Sequence, residues 1–158
     1  MSARAFAATS DVTLRAAEPR DAPACRDLDR RCFPPEVAYS LAGFQVLCAE
    51  SAVRIIAENE GKVVGMIFAE ADAEQGAGLI VTVDVDPAHR RRGVGTQLMD
   101  EAEKQLQALG MRQVLLHFYT PHGEALRLYR GRGYVLKGKL SSYYGPGRDA
   151  LLMVKTLG

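Results

Sequence analysis

The spacing of apolar and polar positions changes period repeatedly along the chain. Residues 12–15, Val-Thr-Leu-Arg, read as a short first strand. Cys25, Leu28 and Cys32 then fall on one helical face, with Asp21 as N-cap and Pro23 in the first turn. Phe33-Pro34-Pro35 ends that helix, because a proline disfavours the helical conformation of the residue before it. Ser40 caps a second helix carrying Leu41, Phe44 and Leu47. The connection between the helices, residues 33–39, is unusually apolar and aromatic for a loop. Residues 53–71 predict a β-hairpin about Asn59-Glu60-Gly61, where glycine supplies the positive φ of a tight turn. A fourth strand follows over residues 79–85. A long helix spans residues 94–109, with Val94, Leu98, Ala102, Leu106 and Leu109 in one stripe and Gly110 closing it. Residues 113–119 give a fifth strand, Thr120-Pro121 opens a helix that Gly133 ends, and residues 134–140 and 149–157 give two closing strands.

The order β-α-α-β-β-β-α-β-α-β-β predicts one α/β (α+β) domain with a mixed sheet of about seven strands and four helices. A length of 158 residues suits one full-sized core. The expected division is a loose tail over residues 1–10 and a single domain over residues 11–158. A net charge of +1 provides no general attraction to nucleic acid or membrane, and no apolar run approaches the ~18 residues of a membrane span. The first twelve residues lack the apolar stretch of a secretory signal. Cys25, Cys32 and Cys48 are odd in number and form no CxxC, which points to small core residues in a reducing cytoplasm.

One segment concentrates features that favour an anion. Asp86-Pro87 ends the fourth strand, His89 to Arg92 follow, and Gly93-Val94-Gly95 opens the long helix. The first N–H groups of a helix lack intrahelical partners and carry the positive end of its dipole. Glycines admit a ligand close to the backbone, and Arg90, Arg91 and Arg92 add charged reach. Neither GxGxxG nor GxxxxGK[ST] is present. From glycines and arginines alone, a phosphate cradle and a helix start with a solvated basic loop both remain open.

Four stretches resemble the GNAT acetyltransferase superfamily. Arg90-x-x-Gly93-x-Gly95 after "VDP" is similar to its Q/R-x-x-G-x-G/A signature. "ALRLYRGRGY" resembles its helix with a central tyrosine, here Tyr129. "SSYYGPGRDALLMVK" and "CFPPEVAYS" resemble the closing segment and first loop of the ribosomal-protein-alanine (RimI-type) and eukaryotic N-terminal acetyltransferases. The resemblance implies a single-domain fold whose mostly antiparallel sheet has strands four and five parallel and splayed. It implies acetyl-CoA as donor, with coenzyme A as product. The pyrophosphate would lie on Arg90, Arg91, Arg92, Gly93, Val94, Gly95 and Thr96, and the pantetheine arm along Val83 and Val85. His122 stands where the family often has asparagine beside that arm.

Amine acetylation needs a neutral amine, donors for the oxyanion and a proton for the departing thiolate. The resemblance assigns the proton to Tyr129 and an amine-deprotonating role to His117, each of which is otherwise readable as a core residue. Asp84, a carboxylate in an apolar strand, is the rival base or else the partner of a nearby arginine. Phe33, Pro34, Val37, Tyr39, Tyr143 and Tyr144 would line the acceptor site. The expected acceptor is the α-amino group of a peptide or protein; a free small-molecule amine and a non-catalytic acyl-CoA-binding role are the alternatives. No metal, nucleic acid or membrane is expected as partner, and the expected state is a monomer or homodimer.

Overall fold

The structure is a computed structural model that describes residues 5–8, 12–119 and 123–158. The strands are β1 (Ala5–Ala8), β2 (Thr13–Ala16), β3 (Val53–Asn59), β4 (Lys62–Asp72), β5 (Ala77–Val85), β6 (Gln113–Tyr119), β7 (Val135–Leu140) and β8 (Ala150–Thr156). The helices are α1 (Ala22–Cys32), α2 (Leu41–Glu50), α3 (Val94–Ala108) and α4 (Gly123–Gly131). All eight strands join one sheet in the order β1-β2-β3-β4-β5-β6-β8-β7. Every pair is antiparallel except β5 and β6. The seven expected strands and four helices are present, and β5 and β6 are the parallel pair expected as strands four and five. Part of the segment expected as a loose tail behaves differently: Ala5–Ala8 pairs with β2 at the sheet edge. Thr120 and Pro121, expected to open α4, lie outside the described residues. Among the described residues no helix is long and apolar enough to cross a membrane.

Local signals account for most boundaries. Ser40 Oγ accepts the Gly43 N–H at 3.1 Å. Gly110 (φ 90°) closes α3 by donating to the Gln107 carbonyl while Met111 donates to Leu106. Asp21 departs from its expected capping role. Its carboxylate instead takes two hydrogen bonds from Arg15, at 2.7 and 2.8 Å, and one from the Glu18 N–H.

The sheet separates two apolar layers. On one side Val94, Leu98, Met99, Ala102 and Leu106 of α3 and Tyr129 of α4 pack on Ile55, Ile67, Ile80, Val114 and Leu116. On the other, Cys25 and Leu28 of α1 and Phe44 and Cys48 of α2 cover Ile56, Met66 and Phe68. Gly78 lets α3 approach β5, since a Cβ there would lie 2.6 Å from Leu106 Cδ1. Leu106 is fully buried, so its side chain can yield only by disturbing the packing around it. Gly78→Ala is therefore expected to destabilise the fold by about 1–3 kcal/mol through overpacking, read as a lower denaturant midpoint at constant slope.

Two irregularities open the sheet at its centre. β5 pairs with β6 only from Ala77–Gln113 to Ile80–Leu116. Beyond that point β5 stays with β4 as far as Val85, while β6 stays with β8 as far as Tyr119. In addition, Ala69 pairs with Ile80 but Phe68 with Thr82, so Val81 is an extra residue, a β-bulge. The bulge exchanges the faces of everything after it. Val83 and Val85 pack on the α3 and α4 side, whereas Thr82 and Asp84 turn toward α1.

Candidate active site

The gap between β5 and β6 carries two connected spaces. A groove is lined by Val83, Asp84 and Val85 of β5, His89 to Arg91 of the following turn, Gly93 and the Val94 to Thr96 start of α3, and Leu128 and Tyr129 of α4. Across the gap a smaller cavity is lined by Asp29, Phe33, Val37, Tyr39, His117 and Tyr144. Phe33, Val83, Phe118 and Tyr129 border both spaces, so that is where they meet.

The groove has the properties of an anion site. Gly93 has φ 82° and Arg91 φ 64°, left-handed conformations that turn the chain sharply into α3. The Gly93 carbonyl already receives the Gln97 N–H, leaving the first-turn N–H groups without intrahelical partners. Gly95 requires no special backbone angle. A Cβ there would meet only Val85 Cγ2 at 3.7 Å and Leu128 Cδ2 at 3.9 Å, so its bareness serves the groove rather than the fold. Arg90 and Arg91 line the groove; Arg92 is exposed and does not. Arg90 Nε donates to the Val85 carbonyl at 3.1 Å, and Cys32 Sγ reaches the same oxygen at 3.4 Å. Among the described residues the β6-facing edge of β5 has no strand partner beyond Ile80. These residues fit a long phosphorylated thioester: phosphates at the helix start, an extended arm along Val83 and Val85, and the reactive end at Tyr129. His122 lies outside the described residues.

Tyr129 is nearly buried, its ring 5.4 Å from Phe118 and 5.8 Å from Tyr134. Burial, with the nearby Asp84 and Tyr144, pushes its pKa well above the ordinary phenol value. His117 lies on β6 with its ring 4.7 Å from Tyr143. Partial burial lowers its pKa, which favours the neutral imidazole. Tyr144 packs on Tyr119 at 5.9 Å and on Tyr143 at 5.0 Å, forming an aromatic cover beside His117. Pro34 lines neither space; its carbonyl instead accepts the Val37 and Ala38 N–H groups and shapes the loop. Glu36 of that loop faces Arg148 of the closing segment at 3.8 Å, bringing the two loops together.

Among the described residues no arginine is hydrogen-bonded to Asp84; the nearby Arg90 acts on it through its charge. Asp84 accepts from Thr82 Oγ1 at 2.6 Å, and the Arg90 Nε hydrogen bond goes to a backbone carbonyl. Burial and the adjacent Asp29 carboxyl raise its pKa well above the ordinary aspartate value. Asp29 carried no weight in the sequence reading. Yet a signal existed, because it shares the i, i+3, i+4, i+7 stripe of Cys25, Leu28 and Cys32.

Residues 22–134 match the Acetyltransferase (GNAT) family. The chain belongs to that family. Among curated relatives, an IAA acetyltransferase of Azospirillum brasilense is 28% identical over 123 residues, 78% of this chain and 80% of that protein. The NAA10 catalytic subunit of the N-terminal acetyltransferase A complex of Arabidopsis thaliana is 27% identical over 150 residues, 92% and 78% of the two chains. The crystal structure of the ribosomal-protein-S18-alanine N-acetyltransferase of Escherichia coli superposes with a TM-score of 0.82 at 20% identity, covering 93% of this chain and 94% of that one. This acetyltransferase thus has the fold and the family that its motifs implied, and the family's donor is acetyl-CoA.

Proposed function

We propose that this acetyltransferase transfers the acetyl group of acetyl-CoA to the N-terminal α-amino group of a peptide or protein. The observation that carries the reading is the acceptor cavity. Two loops, residues 33–39 and the segment with Tyr143 and Tyr144, enclose a small aromatic space ending at His117 and Tyr129. A lysine side chain, with a pKa near 10.4, needs strong help to lose its proton, whereas an α-amine near 8 does not. A single histidine of lowered pKa suits the second.

Bound acetyl-CoA supplies an activated acyl thioester. The helix start at Gly93 to Thr96, with Arg90 and Arg91, holds its phosphates, and Val83 and Val85 align its arm. His117 takes the proton of the amine, directly or through water. Tyr129 keeps its phenolic proton at neutral pH and delivers it to the departing sulfur. Phe33, Val37, Tyr39, Tyr143 and Tyr144 hold the acceptor, Pro34 shapes their loop, and Arg92 lies at the periphery. The enzyme works in the cytoplasm as a monomer or homodimer.

A thiol-release assay with acetyl-CoA against short peptides with free or blocked N-termini, and against small amines, tests this. Turnover with free peptides is expected; turnover confined to small amines overturns it. The pH profile adds a second check. Because burial lowers the His117 pKa, its neutral form persists below pH 6.5, and the acid limb of kcat lies under that value. His117→Ala is expected to lower kcat and abolish this limb. A limb that survives the substitution removes His117 as the base.

A further inference from the structure

Asp29 and Asp84 meet between the acceptor cavity and the cofactor groove, one lining each. Asp29 is fully buried and Asp84 is 2% exposed. Each carboxyl has one oxygen with a donor: Asp29 Oδ2 receives the Tyr39 N–H at 2.8 Å, and Asp84 Oδ1 the Thr82 hydroxyl at 2.6 Å. The remaining oxygens, Asp29 Oδ1 and Asp84 Oδ2, receive no donor from any other described residue. The packing of α1 on β5, where Cys32 Sγ lies 3.4 Å from the Val85 carbonyl, brings the two buried carboxyls close enough for Asp29 to act on Asp84. Two ionised carboxylates only accept and repel at this range, so the contact is favourable when one proton lies between them.

Asp29 also closes the acceptor loop at both ends. Its main-chain carbonyl receives the Phe33 N–H at 2.9 Å, and its side chain receives the Tyr39 N–H. Phe33 and Tyr39 bound the loop that lines the acceptor cavity. Asp84 stands between Val83 and Val85, which line the groove. Asp29 therefore ties both ends of the acceptor loop to α1, the helix packed on the strand that carries Asp84.

We propose that Asp29 and Asp84 share a single proton and act as a positioning pair, fixing the acceptor loop against β5, with Asp29 the residue that joins them. The assignment of the cavity as acceptor site rests on the function proposed above. The pair itself makes no bond to the reacting atoms. The titratable groups facing Asp84 are Asp29, Cys25 and Cys32 of α1, Tyr39 of the loop, Arg90 before α3 and Tyr129 of α4; of these Arg90 alone is cationic. With the proton retained, the pair's contribution to fold stability is complete below the ordinary aspartate value and is lost progressively as pH rises from there through the raised Asp84 value.

Infrared difference spectra of wild type against Asp84→Asn should contain a protonated-carboxyl C=O band in the wild type at neutral pH, lost in the variant. Its absence overturns the shared proton. Asp29→Ala should raise the acceptor KM about tenfold, the size of one lost buried hydrogen bond, with acetyl-CoA affinity held. Asp29→Asn should recover most of that loss, since its amide both accepts from Tyr39 and donates to Asp84. An asparagine variant as impaired as alanine, or an alanine variant with wild-type KM, overturns the positioning role. Hydrogen exchange of the Tyr39 amide supplies a readout free of turnover: slow in wild type and Asp29→Asn, fast in Asp29→Ala. If Asp29→Ala does not fold, the Asp29→Asn kinetics and the infrared band decide. Should the wild type acetylate no peptide, the proposed function fails, while the infrared band and Tyr39 exchange still judge the pair.

Discussion

Tyr129→Phe is expected to lower kcat by on the order of 10²–10⁴-fold, the usual range for a lost general acid, with acetyl-CoA affinity nearly unchanged. The ring stays, and with it the packing on Phe118 and Tyr134 that fixes its place between groove and cavity. Only the hydroxyl proton is removed. The pH dependence has a definite sign. Burial raises the phenol above its ordinary value, so Tyr129 remains protonated through neutral and mildly alkaline pH. The ratio of wild-type to mutant kcat should therefore be flat between about pH 6 and 9. Steady-state thiol release and calorimetric titration with coenzyme A measure the two quantities. A mutant with wild-type kcat ends the assignment of Tyr129 as acid, and one that loses cofactor affinity makes it a packing residue.

Gly95→Glu should abolish measurable acetyl-CoA binding in a protein that still folds. A Cβ at position 95 makes only ordinary contacts with Val85 and Leu128, so the substitution threatens the fold little. Its carboxylate enters the groove where phosphates would sit. Two like charges about 4 Å apart cost about 4 kcal/mol at surface-like screening, close to a thousandfold in affinity. Gly95→Ala separates charge from bulk and should bind with an intermediate constant. Circular dichroism checks the fold, and titration with coenzyme A reads the affinity. Wild-type affinity in a folded Gly95→Glu protein would falsify the helix start as the phosphate site.

The largest part of the fold was legible because its signals are local. Helical stripes, the Ser40 cap, the Gly61 turn and the Gly110 terminus each lie within a few residues of what they specify. The same holds for the cradle: Arg90, Gly93, Gly95 and the start of α3 are consecutive, so their chemistry can be read before any folding is known. β1 escaped notice because Ala5–Ala8 has weak strand character of its own and is held by pairing with β2. Arg91 and Arg92 look equivalent in sequence, yet the chain's turn into α3 sends one into the groove and the other away from it.

What the sequence determined by itself was a set of elements in order, an anion-binding turn and a tyrosine and histidine at family positions. The tertiary structure decided where the reactive faces lie. The bulge at Val81 inverts the face of Thr82 and Asp84, and strand alternation carries no mark of it because the burial pattern continues unbroken across residues 77–85. That inversion carries Asp84 to α1, where the helical stripe has already aimed Asp29. Neither carboxylate reveals its partner alone, since the contact joins residues 55 positions apart and exists only once helix and sheet pack together.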